Sequence, residues 1–84
     1  MKVRIMCNHP ISNPNGPQSW DGKVHDLPVD PLNLEGVAKW VKRKVGFGFK
    51  LSPRHSRVEK GRCILFPARR QVGVHCMWLE PVEE

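Results

Sequence analysis

Acidic residues are nearly missing from the middle of this sequence. Between positions 39 and 70 there is one, Glu59, against eleven of the fourteen lysines and arginines. That stretch carries +10, while residues 1–38 sum to −1 and residues 71–84 to −3. An apolar run of about 18 residues is also lacking, so no membrane-spanning helix is expected. The apolar part of the first seven residues is too short for a secretory signal. Only three cysteines occur, an odd number without framework spacing, which favours a reducing, cytoplasmic setting over a disulfide scaffold.

The familiar chemical signatures are absent as well. There is no G-x-S-x-G, no P-loop and no dinucleotide-binding fingerprint, and Gly46-x-Gly48 reads as a helix stop. The carboxylates are scattered, so no acid–base pair forms by spacing. No recognition helix, aromatic ribonucleoprotein box or zinc-finger spacing is present. Cys7, His9, Cys63, His75 and Cys76 would supply nitrogen and sulfur ligands for a zinc ion if their strands adjoined. With neither a C-x2-C nor an H-x3-H pair among them, buried cysteine in an apolar core is the expectation. No metal or other cofactor is expected.

What is present is one clear helix. Leu34, Val37, Ala38, Val41 and Val45 form a single apolar stripe at the helical period of about 3.6 residues. Asn33 is placed to cap the first turn, with Leu32 and Val37 spaced for a hydrophobic staple. Glu35 near the start and Lys42, Arg43 and Lys44 near the end complement the macrodipole. Gly46 supplies the left-handed stop. Alternation in Phe47–Leu51 then predicts a half-buried strand, and Lys2–Cys7 predicts another, with Val3, Ile5 and Cys7 facing inward.

The remaining segments read less sharply. Residues 8–30 hold four prolines and two turn signals, and are expected to be an irregular loop with a small hairpin at Asp21-Gly22. In that loop Val24 and Leu27 are placed to tuck under the helix. Residues 52–62 read as an exposed basic loop. Cys63–Pro67 and Val72–Leu79 are predicted strands joined at Arg69-Arg70, which would set Leu65 opposite Val74 and Cys63 opposite Cys76. Residues 80–84 read as an acidic tail. These elements compose a single domain, 1–84, of the α+β class. One helix packs on a mostly antiparallel sheet of about four strands, in the order strand, long loop, helix and three strands. The first strand and the Phe47 strand are expected to run parallel, leaving the second sheet face open.

Function is expected to reside in the charge. Lys39, Arg43 and Lys44 on the helix, with Trp40 beside them as a stacking platform, would join the loop's Arg54, Arg57, Lys60 and Arg62. Arg69 and Arg70 would complete one basic face. Such a face suits docking on nucleic acid or a nucleoprotein complex, binding without catalysis. The alternative is a small inhibitor or adaptor, of the kind a phage or mobile element encodes, that blocks an acidic groove on a larger machine. A third reading is a metal-independent ribonuclease. There His55 or His75 would transfer protons, with Arg54, Arg57 or Arg62 on the scissile phosphate. Trp20 and Trp78 are expected to be lids over the core.

Overall fold

The computed structural model describes residues 1–8, 16–52 and 54–82. In chain order the elements are β1 (Lys2–Asn8), β2 (Gln18–Ser19), β3 (His25–Asp26), α1 (Leu34–Val45), β4 (Phe49–Lys50), β5 (Arg57–Glu59), β6 (Arg62–Ile64), β7 (Phe66–Pro67) and β8 (Cys76–Pro81). The class is α+β: one helix covers one face of a sheet in which every described pairing is antiparallel.

The helix forms where its period and caps place it. Asn33 accepts a hydrogen bond from the Gly36 N–H at 3.1 Å. Gly46, at φ 88°, closes the other end by donating its N–H to the Lys42 carbonyl. Val37, Ala38 and Val41 are buried, as the stripe requires, but so is Trp40. The buried face is therefore wider than the stripe. Leu32 stays half exposed and adds little of the staple expected of it.

β1 is the spine of the sheet. Along one edge it pairs with β8 from Val3 to Asn8. Along the other it pairs with β2 near its end and β3 near its start, with a register slip of three residues between the two. The Asp21-Gly22 turn thus joins two strands that both lie on β1, correcting the small independent hairpin. Leu27 is buried in the core, whereas Val24 remains exposed. The irregularity expected of residues 9–15 lies outside the described residues.

On the far side of β8 runs the stretch 62–67. Leu65 and Met77 form a two-way backbone bridge. The outer edge of that stretch is met by β5 at Arg57–Glu59 and by β4 at Phe49–Lys50. The parallel crossover between β1 and the Phe47 strand therefore does not form, since β4 pairs with β7. Nor are residues 52–62 simply a loop. Lys60 and Gly61, at φ 53° and 76°, make the two-residue turn of a β5–β6 hairpin, since a turn left-handed at both residues matches the twist of the adjoining strands.

The last hairpin also differs from expectation. Its turn is at Val72-Gly73, inside a Gln71–Val74 bridge, and not at Arg69-Arg70. Leu65 faces Met77 instead of Val74, because the stretch between Leu65 and Gln71 is three residues longer than that between Val74 and Met77, and Cys63 pairs with Val58 in the β5–β6 hairpin instead of with Cys76. Glu80 and Pro81 belong to β8, so the acidic tail begins later than expected; Glu83 and Glu84 lie outside the described residues. Between helix and sheet the core gathers Val3, Ile5, Cys7, Val37, Val41, Cys63, Leu65, Met77 and Leu79.

Candidate functional site

Strand alternation decides which cations share a face. Cys63 points to the core, so Arg62 and Ile64 point away from the helix. Their partners across the hairpin, Glu59 and Arg57, point the same way. Cys76, Trp78 and Glu80 of β8 do likewise. Together these side chains line an open concavity of about 450 Å³ on the sheet face opposite the helix, with Lys60 at its rim.

This face is close to charge balance. Arg57 Nε donates to Glu59 at 2.8 Å, and that hydrogen bond holds the Glu59 carboxyl below the usual carboxylate range. Arg62 donates to Glu80 Oε1 at 2.8 Å, and the same oxygen accepts the Trp78 indole N–H at 3.0 Å. The Arg62 guanidinium lies 5.7 Å from the centre of the Trp78 ring. Trp78 is thereby buried, as a lid would be, but on the face away from the helix.

The helix cations stand on the other side of the molecule. Lys39, Arg43 and Lys44 are exposed there, with Glu35 3.6 Å from the Lys39 amine and Lys44 5.6 Å from the Trp40 ring. Trp40 is 7% exposed and stacks edge-on with His25. It is a core residue, which corrects its assignment as a platform for a base. The single face running from 39 to 70 is corrected too: a sheet separates the helix cations from Arg57, Lys60 and Arg62.

A third group does converge. Lys50, His55, Phe66, Arg69, Arg70 and His75 line a groove of about 330 Å³ that has no carboxylate among the described residues of its lining. Among the described residues, none of the ion pairs involves Lys50, Arg69 or Arg70. Two serines behind the lining hold its residues in place. The buried Ser56 hydroxyl donates to the Lys50 carbonyl and accepts the Phe66 N–H at 3.4 Å, bridging the gap where β4 and β5 part. The Ser52 carbonyl accepts the His55 and Ser56 N–H groups, and its hydroxyl meets His55 Nδ1 at 2.6 Å. On the far wall His75 lies edge-on against Phe66, 5.6 Å between centres. Arg54 is exposed in the turn beside His55 and lines none of these concavities.

Arg69 and Arg70 are legible in the sequence as cations, whereas Lys50 falls on the polar side of the alternation in Phe47–Leu51, and His75 reads there as a zinc ligand or proton carrier. No feature of the sequence joins positions 50 and 75; the Lys50–Phe66 pairing and the Val72-Gly73 turn do.

The zinc constellation is taken apart by the register. Cys7 and Cys63 face the core, and Cys63 Sγ donates to the Pro31 carbonyl at 3.2 Å. Cys76 and the exposed His75 lie on the other side, and His9 is outside the described residues. Among the described residues no three metal-binding side chains converge, and all three thiols are free. Burial pushes each of these thiols up, with the Cys7 thiol adding to the rise at Cys76. No described helix is long and apolar enough to cross a membrane.

Compared with known proteins, the chain matches no family model, no curated protein and no solved structure.

Proposed function

We propose that this protein is a nucleic-acid-binding module, acting in the cytoplasm, that docks on nucleic acid or a nucleoprotein surface through the Lys50–Arg69–Arg70 groove. The observation that carries the reading is the convergence, on a groove whose described lining holds no carboxylate, of two histidines and three cations that form no ion pair with a described residue. A polyanion laid there meets donors on both walls and no like charge, and neutralised phosphates release their counterions. Phe66 and His75 offer ring edges and faces to an unpaired base.

Titration of a fluorescent single-stranded oligonucleotide at several salt concentrations tests it. Affinity should fall steeply with salt, and R69A/R70A should reduce the magnitude of the logarithmic slope by about 1.5, the share of two phosphate contacts. K42A/R43A on the helix should leave the slope nearly unchanged. A slope equally sensitive to both pairs, or affinity indifferent to salt, would sink the assignment.

A second reading has its own support. The sheet concavity has an apolar floor of Ile64, Phe66 and Trp78 under a rim of paired charges, the anatomy of a protein-binding patch. An inhibitor or adaptor acting there would retain one protein after nuclease treatment, and I64D would release it while R69A/R70A would not.

A further inference from the structure

We propose that the groove also cleaves RNA, by internal transesterification with His55 and His75 as the proton carriers. This goes beyond binding and rests on the reading that nucleic acid occupies the groove. The two histidines are 20 positions apart in sequence and outside the hydrophobic core, and both line the groove with Lys50, Arg69 and Arg70. The Ser52 hydroxyl occupies His55 Nδ1, which fixes the ring and leaves Nε2 for a substrate. His75 is exposed, and its ring nitrogens make no hydrogen bond to a described residue. The concavity of about 330 Å³ is within the range of roughly 300–1,000 Å³ usual for small-ligand sites, enough for one nucleotide with its flanking phosphate.

The chemistry balances with RNA alone. One imidazole takes the proton of a ribose 2′-hydroxyl as that oxygen forms a bond to the adjacent phosphorus. The bond from phosphorus to the 5′-oxygen breaks, and the other imidazole, protonated, gives its proton to the departing oxygen. The products are a 2′,3′-cyclic phosphate and a free 5′-hydroxyl; no water, metal or redox partner is consumed. Solvent exchange restores the two protonation states. Lys50, Arg69 and Arg70 direct donors at the phosphate oxygens, where negative charge grows in the transition state, and no carboxylate stands among the described lining residues to oppose it.

The test uses the full chain, a labelled single-stranded RNA, and the same sequence with 2′-O-methyl ribose, which lacks the nucleophile. Expected are RNA fragments ending in 2′,3′-cyclic phosphate by mass spectrometry, made equally in chelator, with the methylated strand bound but intact. H55A and H75A should each lower cleavage at least about 100-fold, the usual worth of a positioned acid or base. Their affinity for the methylated strand should fall far less. H55N and H75N, with thermal melts, separate lost chemistry from lost folding. Intact RNA beside a bound methylated strand overturns the inference and leaves the binding reading standing. Cleavage that survives in all four variants also overturns it, as a contaminating nuclease. Failure to bind either strand removes both.

Discussion

Leu65 and Met77 exchange both of their backbone hydrogen bonds, each N–H donating to the other's carbonyl at 2.8 Å. Both side chains are fully buried against the helix. This one bridge ties the β1–β8 spine to the stretch that carries the hairpin and the groove, so the two halves of the sheet share a core through it.

Leu65→Ala should therefore cost about 2–5 kcal/mol, the range for a buried leucine whose cavity only partly collapses. In a chain of this size that lowers the melting temperature by about 10 °C or more. Calorimetry checks it, and a drop of only a degree or two would mean that Leu65 is not a core residue.

Lys60→Asn should stabilise. Lys60 holds a left-handed φ of 53° at a cost that asparagine largely avoids, and Gly61 already follows it. The urea midpoint should rise by the equivalent of about 0.5–1 kcal/mol with the slope unchanged. A fall in the midpoint would contradict the turn assignment.

Gly46→Ala should act in the opposite direction. No atom lies within 4 Å of an added Cβ, so sterics with neighbours contribute nothing. The φ of 88° alone sets a loss of about 1 kcal/mol. Far-UV circular dichroism during urea unfolding would read it, and an unchanged midpoint would count against the left-handed cap.

The thiols give the stability a high-pH limit. Burial raises Cys7, Cys63 and Cys76, so the folded chain holds these protons more tightly than the unfolded chain. Their contribution is complete below the unfolded thiol value of about 8.5 and is lost as pH rises from there through the raised folded values. Stability measured from pH 7 to pH 10 should decline across that window, and replacing all three by alanine should remove this part of the decline.

The parts of the fold that were legible are those written in local rules. Asn33, the stripe from Leu34 to Val45 and Gly46 each specify the helix within a few positions. Alternation at Val3, Ile5 and Cys7 does the same for β1. Pairing partners were not legible, because the turn lies at Val72-Gly73 and three unmatched residues separate its register from that of Leu65–Met77, and neither leaves a mark on the hydrophobic pattern. The Lys60-Gly61 hairpin is not legible in the sequence, since lysine is an unusual first residue for that turn. Charge narrows the candidate site only to a region. Choosing Arg69 and Arg70 from eleven cations needed the sheet, which puts Arg57 and Arg62 beside Glu59 and Glu80 and leaves the groove unopposed.

Both outer borders of the sheet are broken, β2 from β3 on one side and β4 from β5 on the other. None of these strands is longer than three residues. Among the described residues an incoming chain finds no extended row of vacant amides at these borders to add itself to. A concentrated solution should accordingly resist self-association into fibres, even where salt has screened the repulsion between its positive surfaces.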